Sequence, residues 1–251
     1  MNKKRTIILS IAGYDPSGGA GVLADIKTIE NIGVYGMAVT TCITYQNDSE
    51  FEGVYWLSKK KIKQQLFPLF SAYKIDFVKI GLIENFELLE YIIKLLLDYN
   101  KNIQIILDPI FSASAGFLFH NGITKKQTKK ILKLISWITP NWMEASCITG
   151  EADAIKGATW MADYCNVYLK GGHNTETPAT DMIWVNKKLD ILHPTAISNY
   201  GKHGTGCVLS SALTTYLAKG VPQHKSCEAA KAYTFNFINS NNSNLGYHIT
   251  V

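Results

Sequence analysis

The feature that most limits what this chain can fold into is an alternation of two periodicities. Short apolar runs rich in Ile, Val and Tyr recur along its 251 residues, and each is followed by a longer segment of helical period. The runs are "TIILSIA", "MAVTTCITY", "IDFVKIG", "NIQIILDP", "SWITP" and "NVYLKGG". The helical segments span 19–32, 58–73, 85–98, 123–134, 142–149 and 152–164, and two more at 206–219 and 224–239 close the chain. Parallel strands need a long crossover between them, which a helix supplies, so the pattern predicts an α/β fold with a mainly parallel central sheet and helices on both faces. With 47% hydrophobic residues the chain can bury a full core, and its length suits one domain over 1–251.

The net charge of +5 comes from lysines such as Lys59, Lys60, Lys61, Lys125 and Lys126, which lie in amphipathic helical segments; solvated helix faces are expected, not a nucleic-acid surface. Cys42, Cys147, Cys165, Cys207 and Cys227 are odd in number and form no C-x-x-C pair, which suits reduced thiols and a cytoplasmic protein. "MNKKRTIILSIAGYD" ends in a glycine turn and reads as a first strand, and no run has the length of a membrane span. The segment "DMIWVNKKLDILHPTAI", 181–197, predicts a β-hairpin over an edge or a site, and 239–251, with "NSNNSNLG", is expected to be a loosely ordered tail.

In open parallel sheets ligands bind beyond the carboxyl ends of the strands. Those ends carry Gly13 to Gly19, Thr44-Tyr45-Gln46-Asn47, Lys79-Ile80-Gly81-Leu82, Asp108-Pro109, Thr139-Pro140-Asn141 with Glu144 one turn on, and Lys170-Gly171-Gly172-His173. The opening "IAGYDPSGGAG" has P-loop spacing from Gly13 to Gly18, but Gly19 and Ala20 stand where such a loop needs lysine and a hydroxyl. A dinucleotide fingerprint on 19–24 lies too far past the strand, so glycines that simply turn the strand onto its helix remain an open reading. A better anion hole is Gly204-Thr205-Gly206-Cys207, because glycines before a helix leave backbone N–H groups and a favourable dipole facing an anion. Cys207 in that first turn is expected to have a lowered pKa and to serve as base or nucleophile; a small buried cysteine packing the helix start is the alternative. His203 is a second functional group or a structural hydrogen-bonder. Asn141-x-x-Glu144 sets an amide and a carboxylate on one side of a helix start, and with Asp108 they can hold hydrated Mg2+; helix-dipole complementation alone also accounts for Glu144.

Taken together, "IAGYDPSGGAGVLADIKT", "GVYGMAVTTCITYQN", "KIGL", "LDPI", "ITPNWMEA", "KGGH", "HGTGCVLSSA" and "EAAKAY" resemble the ribokinase-like kinases, and among them the hydroxymethylpyrimidine/phosphomethylpyrimidine kinases of thiamine biosynthesis. The likeness runs from about Ile8 to Tyr233. It implies a ribokinase-like three-layer sandwich, ATP-dependent phosphorylation of 4-amino-5-hydroxymethyl-2-methylpyrimidine and of its monophosphate, Mg2+, and a homodimer. It also implies roles. Gln46 reads the pyrimidine, with Asp25, Gly13, Ala20, Leu82 and Ile110 at the same pocket. Cys207 is the base, and Gly204, Thr205 and Gly206 hold the transferring phosphoryl group. Asp108, Asn141 and Glu144 lie on the metal and phosphate side, with Lys170 near the nucleotide phosphates. A pyridoxal kinase sharing the Gly-Thr-Gly-Cys loop is the alternative inside the fold, with Gln46 against it; a pyrimidine-binding module without turnover is the alternative outside it. The chain departs from the family at Tyr14, usually a small hydroxyl residue, at Ser114, usually lysine, and at Lys202, usually threonine, which is expected to bring a cation toward the anion hole. The span from Gly150 to Lys170 is short for the family, and the final residues match it poorly.

Overall fold

Ile7–Tyr14 forms β1, whose run from Ile8 to Ala12 is apolar except for Ser10 and is buried on both faces. Leu9 and Ile11 point into the larger core cluster on one side, whereas Ile8 packs with Ile29 and Val34 on the other. The computed structural model describes residues 5–110, 124–173, 177–198 and 201–249. After β1 follow α1 (Gly21–Asn31), β2 (Tyr35–Gln46), β3 (Phe51–Trp56), α2 (Lys59–Ala72), β4 (Phe77–Ile80), α3 (Phe86–Tyr99) and β5 (Gln104–Leu107). Then come α4 (Lys125–Leu132), β6 (Trp137–Ile138), α5 (Trp142–Thr149), α6 (Ala154–Met161), β7 (Asn166–Leu169), β8 (Asp181–Val185), β9 (Lys188–Leu192), α7 (Thr205–Ala218) and α8 (Gln223–Ile238).

The sheet runs β3-β2-β1-β4-β5-β6-β7-β8-β9. Strands β2, β1, β4, β5, β6 and β7 are parallel, with antiparallel β3 at one edge and β8 and β9 at the other. Helices α2 to α6 pack on one face; α1, α7 and α8 cover the other. This is the three-layer sandwich expected, and the order reverses between β1 and β4, where open sheets leave a crevice.

Two details differ from expectation and one agrees. Strand β3 is not evident in the sequence because "FEGVYW" is partly exposed on both faces and carries an interior glycine, so it shows no clean alternation. The 181–197 hairpin, expected at an edge or a site, takes the edge: β8 pairs with β7 and extends the sheet, turning through Asn186 (φ 51°) and Lys187 (φ 67°) as tight hairpins do. The Asn-rich tail is irregular but pinned: Tyr247 N–H donates to Ser240 Oγ at 2.8 Å, and His248 packs on Phe237 with ring centres 4.8 Å apart. Among the described residues no helix is long and apolar enough to cross a membrane.

Candidate active site

The site is built around the start of α7. Residues Cys207 to Thr215 are all buried, so this helix threads the core and its small hydroxyls must bond internally. Thr214 and Thr215 return to the carbonyls of Ser210 and Ser211, while Ser210 and Ser211 reach two different aspartates, Asp108 (3.2 Å) and Asp25 (2.7 Å). Gly204 caps the helix at φ 75°, and a Cβ there would lie 1.9 Å from the Gly19 carbonyl oxygen. Only glycine permits both that backbone conformation and that approach. The anion loop therefore rests directly on the opening turn.

Asp15 organises that turn. Its carboxylate accepts from Ser17 N (2.9 Å), Ser17 Oγ, Ala20 N (2.8 Å) and His203 Nε2 (2.8 Å). Burial raises its pKa, but the hydrogen bonds from His203 and Ser17 outweigh that and hold it below the ordinary value. Among the described residues, the Nδ1 of His203 has no hydrogen-bond partner. Gly21, at φ 60°, lies so close to the Gly13 carbonyl that a Cβ would fall 2.1 Å from its oxygen. The glycines of "IAGYDPSGGAG" thus bring strand, turn and helix into backbone contact, and none of them forms a P-loop. Gly13 faces Cys42 and Leu82, and Ile110 packs beside Gly81. Tyr14 turns its side chain outward, 38% exposed, while its carbonyl accepts from Thr44 Oγ1. Gln46, at the end of β2, is half-buried and pairs with Phe51 of β3.

On the opposite side, Lys170 Nζ lies 2.8 Å from Asp108 Oδ1 and 3.5 Å from Glu144 Oε2. A Cβ on Gly206 would meet Lys170 Nζ at 3.3 Å, so the anion loop abuts this cluster too. Asn141 and Glu144 form a capping box on α5: Asn141 Oδ1 accepts from Glu144 N (2.8 Å), and Glu144 Oε2 accepts from Asn141 N (2.7 Å). Burial would raise Asp108, yet Lys170 and Lys79 hold it below the ordinary value. Glu144 goes the other way: burial and the Asp108 charge push it up to about 7 against the pull of Lys170. Lys170 itself is raised, because Asp108 and Glu144 overcome its burial.

Three expectations change. Asp25 is fully buried, and its oxygens are taken by Lys79 (3.0 Å), Ser10 (2.5 Å) and Ser211 (2.7 Å), so it supports the site from beneath. Cys207 is raised to about 11: burial outweighs the nearby Lys79 and the Gly21 amide, whereas the expected lowering weighed the helix field alone. Lys202, expected to bring a cation toward the anion hole, donates to the Asn241 and Ser243 carbonyls. Ser114 lies outside the described residues. Sequence reasoning gave no role to Asp15 or Lys79. Each had a signal: an Asp-Pro-Ser-Gly turn for the first, and a lysine inside an apolar strand, which must have a buried counter-ion, for the second.

The contacts make one strip: Gly13 to Gly21, Gly19 to Gly204, Gly206 to Lys170 and Asp108, and Lys170 to Glu144 with Asn141. A hydroxymethylpyrimidine/phosphomethylpyrimidine kinase of Rhizobium meliloti is 37% identical over 237 residues, 90% of this chain and 88% of the relative. The crystal structure of phosphomethylpyrimidine kinase from Clostridium difficile matches with TM-score 0.77 and 32% identity, covering 92% of this chain and 99% of that one. A Bacillus subtilis pyridoxal kinase solved with ADP matches with TM-score 0.82 and 26% identity, covering 94% and 93%. The family model for phosphomethylpyrimidine kinase spans residues 15–251, and the chain belongs to that family.

Proposed function

We propose that this chain is an ATP-dependent kinase that phosphorylates the hydroxymethyl group of 4-amino-5-hydroxymethyl-2-methylpyrimidine and then the resulting monophosphate. The observation that supports this reading is the strip of contacts that joins the opening glycine turn to the glycine-capped start of α7 and to the Lys170, Asp108 and Glu144 cluster. On the acceptor side Gly13, Ala20, Leu82 and Ile110 form the walls. Gln46 offers a donor and an acceptor side by side, matched to a ring nitrogen and its neighbouring amino group.

On the phosphoryl side the free N–H groups of Gly204 to Gly206 and the α7 dipole stabilise the transferring oxygens, with Lys170 as the adjacent cation. Transfer of this kind needs position and charge more than covalent help. Cys207 orients the acceptor hydroxyl and takes up its proton as the oxygen attacks, with the Lys79 charge offsetting part of the burial that otherwise holds the thiol up at about 11. Mg2+ fits the donor set: Asp108 and Glu144 are hard oxygen donors, and the ion takes few carboxylates beside water and phosphate. Glu144, held up by burial and a like charge, gains from any added cation. When bound, the ion supplies charge neutralisation on the phosphates. A cytoplasmic location belongs to the same proposal, supported by five free cysteines. So does a homodimer, supported by the exposed face of Ile43, Tyr45 and Tyr55 on the β2–β3 ribbon, and checked by light scattering.

A pyridoxal kinase is the second reading, favoured by the likeness to the Bacillus subtilis enzyme. Parallel assays decide: a larger kcat/KM for pyridoxal than for the pyrimidine overturns the first reading. Phosphorus NMR with pyrimidine and excess ATP counts the phosphates added, and binding without ADP release would point to a module without turnover. Gln46→Met is expected to raise the pyrimidine KM about tenfold, the effect of one unpaired polar group; an unmoved KM would place the pocket elsewhere.

A further inference from the structure

The irregular segment after α8 touches more of the site than its composition suggests. Lys202 is buried, 8% exposed, and its Nζ donates to the carbonyls of Asn241 (2.6 Å) and Ser243. The adjoining His203 donates its backbone N–H to the Asn244 carbonyl (2.9 Å) and meets Asp15 through Nε2. Leu245 lies against Gly19, where a Cβ would be 2.7 Å from its Cδ2. Asn244 Nδ2 reaches Ser49 Oγ in the β2–β3 turn at 3.2 Å. Residues 241–245 therefore bridge the opening turn, the β2–β3 turn and the stretch leading into the anion loop.

The segment is shaped for this by its own side chains. Asn241 Oδ1 accepts from Ser243 N (2.9 Å) and Ser243 Oγ (3.0 Å), and Asn241 Nδ2 donates to the Leu245 carbonyl (2.9 Å). These bonds hold the Asn241 and Ser243 carbonyls near Lys202. A buried ammonium must have acceptors, so the lysine and the segment constrain one another. Two residues later the backbone is at Gly204, already confined by its positive φ and by the Gly19 carbonyl. Any drift of 202–203 passes directly to the N–H groups that follow.

We infer that Lys202 is a positioning residue for phosphoryl transfer, holding the 202–206 loop in its working place through the main-chain oxygens of Asn241 and Ser243. The C-terminal segment is then part of the active-site frame. This rests on the reading of Gly204 to Gly206 as the phosphoryl-binding loop, and the test separates the two.

In the full chain, Lys202→Met is expected to lower kcat for the pyrimidine by tenfold or more, about the effect of a small misplacement of reacting groups, with KM within about twofold. Lys202→Arg, which keeps the donors, should recover most of the loss, and the His203 amide should exchange hydrogen faster in Lys202→Met than in wild type. Asn241→Gly leaves the buried charge in place but loosens the segment, and should lower kcat in the same direction. That variant carries the test if Lys202→Met fails to fold. Wild-type kcat in Asn241→Gly, or in a folded Lys202→Met, overturns the inference. Gly206→Ala, which crowds Lys170, probes the loop itself: wild-type kcat there overturns the phosphoryl-loop reading, whatever Lys202 does.

Discussion

Two aspartate–lysine pairs flank the first turns of α7, Asp25 with Lys79 and Asp108 with Lys170. In the first both side chains are 0% exposed, and the aspartate also has Ser10 and Ser211 as donors. In the second Lys170 is 13% exposed and shared with a further carboxylate, Glu144. The sealed pair balances one charge against one charge, with every aspartate oxygen satisfied. The open pair leaves two carboxylates for one lysine, and burial together with the Asp108 charge raises Glu144. A surplus of negative charge beside a helix start that attracts anions suits a site completed by phosphate and a cation; the sealed pair instead fixes α1, β1, β4 and α7 relative to each other.

The largest expected effect comes from breaking the sealed pair. Lys79→Met strands Asp25 in the core and should cost about 3–5 kcal/mol of unfolding free energy in urea titration. Lys170→Met should cost clearly less stability, since water reaches the lysine, but should reduce kcat by about 10²–10³, the scale of losing one charge-stabilising group. Equal stability losses in the two variants would erase the distinction between the pairs. Cys207, which senses Lys79, Asp25 and Asp108, tests how they meet. Cys207→Ala is expected to lower kcat about a hundredfold with little change in pyrimidine KM, and unaltered turnover would remove the thiol from the reaction.

The smallest effect is on pH dependence. Glu144 lies above its ordinary value of 4.5, at about 7, so the folded chain holds this proton more tightly than the unfolded chain. Stability from that proton is full below about 4.5 and is lost as pH rises through about 7. If the ionised form is the working one, kcat/KM rises with pH through the same range. Glu144→Gln should flatten both trends, seen in pH profiles of activity and of Tm; an acid limb near 7 that survives the substitution belongs to another group.

Much of this was legible before any coordinates. Among the described residues, the six parallel strands and eight α-helices follow from two periodicities that local side-chain patterns impose, and the glycines at 204 and 206 already mark a tight entry into a helix. What escaped did so for physical reasons. Strand β3 shows no alternation because neither of its faces is fully covered. The Cys207 pKa was misjudged because a helix dipole is visible in sequence, whereas the desolvation that outweighs it depends on what packs around the thiol. The resemblance sets Asp25 at the pyrimidine pocket, but its partners, Lys79 on β4 and Ser211 on α7, lie far along the chain and are not visible in its own segment.

By itself the sequence determined the layered parallel fold, the glycine turns that let backbones meet, and the residue types gathered at the strand ends, all of which depend on neighbours close along the chain. Only the tertiary structure decided which charges pair. Lys79 chose Asp25 over Asp108, Lys170 was shared between Asp108 and Glu144, and Lys202 turned to main-chain oxygens of the C-terminal segment. Burial and distance between residues far apart in sequence set those choices, because the energy of a buried charge depends on the whole surroundings and not on its own segment.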